Sequence, residues 1–228
     1  MIADNLARVN ERIASACARA GRPVQSVTLL VVSKTHAAAA VREAFDAGAR
    51  HFGENYVQEG LEKIERLGEL RSGVEWHLIG PLQSNKTRVV AERFDWVHSV
   101  DRVRTAERLS AQRPPELLPL SVCLQVNISG EASKAGLDPA AVPAAANAIA
   151  ALPGLALRGL MAIPEPAADL EAQRRPHRAL RLLLESLRTG GLALDTLSMG
   201  MSDDLEAAIA EGATIVRVGR AIFGERPG

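Results

Sequence analysis

The chain has 228 residues, enough for one sizeable core, and its 27 Lys plus Arg balance its 27 Asp plus Glu. A net charge of zero without an acidic or basic block argues against an electrostatic footprint for nucleic acid or a membrane surface. The two cysteines, Cys17 and Cys123, are far apart and lack metal-ligand spacing, which fits a reducing cytosol.

The predicted elements begin with an amphipathic helix over residues 1–22, expected to pack on the domain. Leu6, Val9 and Ile13 recur at helical spacing, and charges interrupt the segment too often for a signal peptide or a membrane span. Short apolar runs then alternate with longer alanine-rich, charged runs. Eight strands are predicted to end at Ser33, Glu54, Gly80, Val100, Ile128, Ile163, Gly200 and Gly219. Seven helices are predicted between them, over 39–49, 55–67, 84–94, 102–112, 138–152, 172–188 and 203–213.

Eight βα units favour an α/β fold, a single closed (β/α)8 TIM barrel that spans residues 1–228 as one domain. Strand count alone leaves an open, doubly wound sheet as the alternative. In a parallel barrel, chemistry is carried at the carboxyl ends of the strands. The candidate functional residues are therefore those that directly follow the predicted strands.

The first such residue is Lys34, in the stretch VTLLVVSKTHAAAA (residues 27–40). A lysine whose amine is desolvated at the mouth of a barrel has a lowered pKa and can attack a carbonyl, so Schiff-base chemistry is its natural use. The structural alternative is that Lys34 extends to the rim and pairs with Glu54 on the next strand. Spacing alone slightly favours that ion pair.

A second candidate is the segment LSMGMSDDLEAAI, residues 197–209. Ser198 and Ser202 flank a glycine turn between strand and helix, an arrangement that can hold a phosphate. The alternative is helix capping by Ser202 or Asp203, with a capping box that pairs Asp203 with Glu206. Barrel phosphate sites frequently use the loops after strands seven and eight, and Gly219 would supply the matching backbone N–H from strand eight.

Arg217 lies two residues before Gly219, so both point the same way along the strand. A guanidinium inside a barrel needs a partner, either a heterocyclic nitrogen of a ligand or a carboxylate in a structural ion pair. The segment GPLQSNKT is not a Walker A motif, because Asn85 replaces its second glycine. The five histidines form no metal-binding motif, so no metal site is expected.

Seven segments in fixed order resemble the YggS/PROSC family of PLP homeostasis proteins, which bind pyridoxal 5'-phosphate (PLP). They are VVSKT, FGENYVQE, WHLIGPLQSNK, VNISGEASKAG, RGLMAIP, LSMGMSDDLEAAI and VRVGRAIFG, and the resemblance that they carry extends over nearly the whole chain. The resemblance implies a single barrel like the N-terminal domain of alanine racemases. It also implies PLP as the cofactor.

The resemblance further implies that Lys34 forms the Schiff base with PLP and that Arg217 faces the pyridine nitrogen. Lys134 matches a second lysine linked to cofactor handling, and His36 stands where other members have a lysine. The resemblance places Asn55 and Met161 against the ring and Ser198, Ser202, Gly219 and Arg220 around the phosphate. Arg220 replaces a frequent threonine, so the family's hydroxyl contact is not expected there.

The implied function is to hold PLP and maintain its intracellular balance, with PLP-dependent apoenzymes as expected recipients, in a cytoplasmic monomer. A cation beside the pyridine nitrogen keeps it unprotonated, which weakens the ring as an electron sink and disfavours catalysis. A racemase also needs a second acid/base, and the only tyrosine, Tyr56, is expected to pack beside the cofactor. A racemase-like enzyme and a plain barrel scaffold with a structural Lys34 remain the alternatives.

Overall fold

The computed structural model describes residues 1–130 and 135–224. Eight parallel strands pair in chain order and close into a barrel. The strands are β1 (Thr28–Val32), β2 (His51–Glu54), β3 (Glu75–Leu78), β4 (Trp96–Val100), β5 (Leu120–Gln125), β6 (Leu155–Met161), β7 (Thr196–Ser198) and β8 (Ile215–Val218).

Helices follow the strands and form the outer layer. They are α1 (Ile2–Arg19), α2 (Ala38–Asp46), α3 (Val57–Arg66), α4 (Thr87–Arg93), α5 (Val103–Gln112), α6 (Val142–Ala150), α7 (Leu170–Thr189), α8 (Leu205–Ala210) and α9 (Arg220–Phe223). Short 3-10 turns occupy Val24–Ser26, Gly68–Gly73, Ser84–Lys86 and Pro139–Ala141. Among the described residues, no helix combines the length and the apolar character needed to cross a membrane.

Closure of the sheet decides between the two architectures that the strand count left open. Parallel pairing of β1 with β8 over four residue pairs, among them Val31 with Val218, joins the first strand to the last. The prediction of a TIM barrel is confirmed. The predicted helix over 138–152 begins later, at Val142, because Asp138 caps a preceding 3-10 turn instead.

The barrel wall is tightly packed where Gly159 of β6 pairs with Thr196 of β7. A Cβ on Gly159 would lie only 1.8 Å from the Thr196 carbonyl oxygen, so no larger residue fits without moving a strand. The register also shifts between β5 and β6 near this point. Glycine is therefore required here by close backbone approach rather than by a turn.

The N-terminal helix α1 buries Leu6, Val9 and Ile13, the residues whose spacing predicted it. Its polar face reaches α8, because Arg12 donates to both carboxylate oxygens of Glu206 and to the Ser202 carbonyl oxygen. The helix thus fixes the loop between β7 and α8 from outside the barrel.

Candidate functional site

The residues expected to bind a ligand lie at one end of the barrel, on adjacent strands. Ser198 ends β7 and is fully buried, and Met161 ends β6 and is also buried. Lys34 and Asn55 follow β1 and β2 and are half-buried. Since β6, β7, β8, β1 and β2 are consecutive around the barrel, these side chains share one arc of its carboxyl-terminal rim.

The backbone on both sides of Lys34 is held by a buried polar network around Lys63 of α3. Lys63 Nζ donates to the Ser33 carbonyl oxygen at 2.6 Å, to Glu54 Oε1 at 2.7 Å and to Glu59 Oε1 at 2.8 Å. Glu59 Oε1 also accepts the Thr35 N–H, and Glu54 Oε1 accepts the Ser33 hydroxyl. Ser33 and Thr35 are the neighbours of Lys34 in the chain, so this network sets where the Lys34 amine begins.

Glu54, the partner that the structural alternative gave to Lys34, forms a buried ion pair with Lys63. Glu54 is fully buried, and the hydrogen bonds to its Oε1 come from Ser33 and Lys63. Burial raises the pKa of the Glu54 carboxyl, with Lys63 acting in the opposite direction. The carboxylate that the rim-pair alternative assigned to Lys34 is thus bonded to Lys63 and Ser33.

Thr35 has a φ of 68°, the one non-glycine residue at positive φ in the described part of the chain. A β-branched residue in this region is strained, at a cost on the order of 1–2 kcal/mol. The strained residue directly follows Lys34, and the hydrogen bond from the Thr35 N–H to Glu59 Oε1 maintains its conformation. Such strain is typical of functional sites, where surrounding contacts impose it.

Arg217 lies inside the barrel and is 4% exposed. Its guanidinium donates to the Ser198 carbonyl oxygen at 2.6 Å, to the Ser198 hydroxyl at 2.8 Å and to the Ala162 carbonyl oxygen at 2.8 Å. Burial lowers its pKa to about 10, which leaves it charged at neutral pH. Within residues 1–130 and 135–224 it forms no ion pair with a carboxylate, which removes the structural alternative for this residue.

A chain of histidines continues from Arg217 through the barrel interior. His98 Nδ1 lies 2.8 Å from Ser198 Oγ, and His77 Nδ1 lies 2.9 Å from His98 Nε2. Burial lowers the pKa of His98 to about 3, with the charge of Arg217 adding to the effect. Both rings are fully enclosed, so they carry hydrogen bonds rather than charge at neutral pH.

The loop between β7 and α8 is built differently from the capping box that the sequence allowed. Asp204, not Ser202 or Asp203, is the N-cap of α8, and its carboxylate accepts the Met201 N–H and contacts His177 Nε2. The half-buried Ser202 is held through its carbonyl by Arg12. Its hydroxyl is therefore not used as a helix cap.

Gly219 is the N-cap of α9, and Arg220 is the exposed first residue of that helix. A Cβ on Gly219 would lie 2.8 Å from the Val32 carbonyl oxygen, so packing against β1 already requires glycine. His36 stacks on Phe223 with ring centroids 4.6 Å apart, which joins the loop after β1 to α9.

Sequence patterns missed four residues whose hydrogen bonds hold the segments of the site in place: Lys63, Glu59, His98 and Arg12. The spacing of Glu59 and Lys63 at i, i+4 was a visible signal, but it is typical of ordinary exposed helix pairs. Lys134, expected to take part in cofactor handling, lies outside the described residues.

Comparison with known proteins identifies the family. The sequence profile described as "Alanine racemase, N-terminal domain" matches residues 5–227. The "Pyridoxal phosphate homeostasis protein" of Pseudomonas aeruginosa is 61% identical over 225 residues, which cover 99% of this chain and 96% of that protein. The chain belongs to the pyridoxal phosphate homeostasis protein family. The family member of Escherichia coli strain K12 is 55% identical, with 99% of this chain and 97% of that protein covered.

Solved structures agree with this family. PipY of Synechococcus elongatus PCC7942, solved with PLP bound, superposes with a TM-score of 0.85 at 41% identity, over 98% of this chain and 100% of that one. An alanine racemase from Corynebacterium glutamicum shares the fold, with a TM-score of 0.73 at 19% identity. This family member matches 61% of the racemase chain.

Proposed function

We propose that this protein holds PLP at the carboxyl-terminal end of its barrel and maintains the intracellular balance of the cofactor without catalysing a reaction of its own. We infer that residues 1–228 act as one PLP-binding domain. The observation that carries the proposal is the placement of Lys34 just after β1 and of Arg217 on the neighbouring strand β8, with Arg217 buried and charged. The names and the PLP-bound structure of close relatives support the same ligand.

The residues present fit PLP. A buried guanidinium with no carboxylate partner among the described residues suits an acceptor nitrogen on a ligand ring, because an unpaired buried cation is costly. Met161, buried at the end of β6, offers an apolar surface for a flat ring. Gly219 brings backbone N–H groups to the same rim, where the first turn of α9 leaves donors without intrahelical acceptors.

When bound, PLP supplies an aldehyde that an amine can attack. Lys34 provides that amine, and the network around Lys63 fixes the backbone from which it extends. Asn55 and Met161 line the ring, while Ser202, Gly219 and Arg220 contact the phosphate, Arg220 through its backbone. Ser198, first expected at the phosphate, is assigned mainly to hold Arg217, since its hydroxyl accepts from Arg217 Nη1.

The absence of catalysis is supported by the environment of the ring nitrogen and by the exposed position of the candidate acid, Tyr56. Arg217 stays protonated and can only donate hydrogen bonds, so it does not stabilise a protonated pyridine nitrogen. Tyr56 is 60% exposed at the N-cap of α3. The closely related proteins are named for homeostasis and not for a reaction.

Passing PLP on to PLP-dependent apoenzymes is part of the proposal, as are action as a monomer and a cytoplasmic location. A half-buried rather than enclosed Lys34 supports exchange with recipients. Two buried, unpaired cysteines, Cys17 and Cys123, support a reducing compartment.

The deciding experiment is borohydride reduction of the PLP-loaded protein followed by peptide mapping. We expect the label on Lys34, an imine absorbance in the visible range before reduction, and loss of both in Lys34→Ala. Lys86→Ala is the matched control and should keep the label. A Lys34→Ala protein with the same bound chromophore contradicts the proposal.

A second experiment separates a carrier from an enzyme. The PLP-loaded protein is incubated with a panel of L-amino acids, and D-enantiomers are measured by chiral chromatography. We expect no sustained turnover. Sustained production of D-amino acids would overturn the non-catalytic assignment while leaving PLP binding intact.

A further inference from the structure

A second cluster of chemically active side chains lies at the opposite, amino-terminal end of the barrel from Lys34. His51 begins β2 and Glu75 begins β3, and the two residues pair directly in the sheet register. His77 lies two residues after Glu75, so both side chains point to the same side of β3. One potential ligand atom from each of His51, Glu75 and His77 lies within 4.8 Å of the other two.

His77 supplies the observation that points to a ligand. The residue is 1% exposed, and its Nε2 is buried without a hydrogen-bond partner. Its other nitrogen, Nδ1, lies 2.9 Å from His98 Nε2. Buried polar atoms are almost always partnered, so an orphaned ring nitrogen that faces a histidine and a carboxylate needs an explanation.

The tautomers along the histidine chain fit a metal at this nitrogen. If His77 donates its Nδ1–H to His98, then Nε2 carries a lone pair toward Glu75 and His51. His98 in turn offers Nδ1–H to the Ser198 hydroxyl, which also accepts from Arg217. A metal-binding histidine commonly donates its second N–H to a fixed acceptor.

The distances from Glu75 to the two histidines are close to those around a tetrahedral ion. Glu75 Oε2 lies 3.2 Å from His51 Nδ1 and 3.7 Å from His77 Nε2. Ligands about 2.0–2.1 Å from zinc are about 3.3 Å apart in a tetrahedron. Small movements of the partly exposed His51 and Glu75 side chains would bring all three ligand atoms to these distances. Trp96 Nε1 donates a hydrogen bond of 3.1 Å to Glu75 Oε2 and so orients the carboxylate.

A simple ion pair between His51 and Glu75 explains two members of the cluster. It lowers the pKa of Glu75 to about 2, chiefly through the His51 ring, but it leaves the buried His77 Nε2 unexplained. We propose that His51 Nδ1, Glu75 Oε2 and His77 Nε2 bind one zinc ion, with water in the open fourth position. Two histidines and one glutamate are a known zinc ligand set.

This proposal revises the expectation of no metal site, which rested on sequence motifs. The three ligands come from two strands, with a spacing that no short motif contains. Through His77 and His98 the ion would also fix the orientation of Ser198 and Arg217, at the far end of the barrel. The zinc site does not depend on PLP, so either proposal can fail alone.

The test is calorimetric titration of untagged full-length protein with zinc chloride, with PLP bound and again after PLP removal. Metal content after desalting is measured by atomic emission. We expect one zinc per chain in both forms. His51→Ala and Glu75→Gln change partly exposed residues, so the fold should persist, and each should weaken binding by about tenfold or more.

Matched controls are His36→Ala, a histidine at the other end of the barrel, and Glu65→Gln, an exposed glutamate of α3. Both should bind zinc like the wild type, and circular dichroism should show all four variants folded. Absence of saturable binding overturns the proposal. So does wild-type affinity in folded His51→Ala and Glu75→Gln, or loss of binding in His36→Ala.

Discussion

Replacement of Lys63 by methionine tests the network that holds the backbone around Lys34. The side chain is 5% exposed and its amine donates to three oxygens, on Ser33, Glu54 and Glu59. Removing one partner of a buried ion pair leaves the other charge uncompensated and costs about 3–5 kcal/mol. For a chain of this size the loss corresponds to a fall in Tm of about 6–20 °C.

The same variant has a predictable dependence on pH. Burial already raises the pKa of Glu54 above its ordinary value, and Lys63 opposes that rise. Without Lys63 the pKa of Glu54 rises further, so the folded state binds its proton more tightly than the unfolded state does. The Glu54 carboxyl then stabilises the folded state at low pH, and this stabilisation is lost as the pH rises through the folded-state pKa of Glu54. We expect the deficit of Lys63→Met to be smaller in mildly acidic than in mildly alkaline buffer.

Urea unfolding of the PLP-free full chain, followed by circular dichroism, measures these free energies. Lys86→Met is the control for loss of a lysine and should change stability by less than about 0.5 kcal/mol. The double variant Lys63→Met/Glu54→Gln should recover at least about 1 kcal/mol, because the buried charge is gone. A loss below about 1 kcal/mol in Lys63→Met, the level of an exposed pair, would refute the reasoning.

Three further changes test other contacts. Gly159→Ala should greatly reduce the yield of soluble, folded protein, because its Cβ would lie 1.8 Å from a strand carbonyl oxygen. The control Gly68→Ala adds a Cβ that meets nothing within 4 Å, so its thermal melt should match that of the wild type. Ser198→Ala should weaken PLP retention in equilibrium dialysis about tenfold, because Arg217 loses its hydrogen bond to the Ser198 hydroxyl. Unchanged retention would argue against the support of Arg217 by Ser198. Thr35→Asn should raise the free energy of unfolding by about 0.5–1 kcal/mol, since Asn tolerates positive φ better, and no gain would mean that the strain at 35 is absent.

The sequence by itself determined the number and order of the strands and the place of Lys34 directly after the first of them. Alternation of apolar strands with amphipathic helices is a local property, so eight strand ends were located to within about three residues. Lys34 could be assigned to the barrel mouth because it follows a strand, and Arg217 to the barrel interior because side-chain direction alternates along a strand.

Only the tertiary structure decided which polar groups are partners. Glu54 pairs with Lys63, Asp204 occupies the N-cap position of α8, and Arg217 is held by carbonyl and hydroxyl oxygens. His51, Glu75 and His77 come together because β2 and β3 pair with His51 beside Glu75. Such choices depend on strand register and barrel closure, which are set by contacts between distant segments. A local pattern fixes which way a side chain points, but not what it meets there.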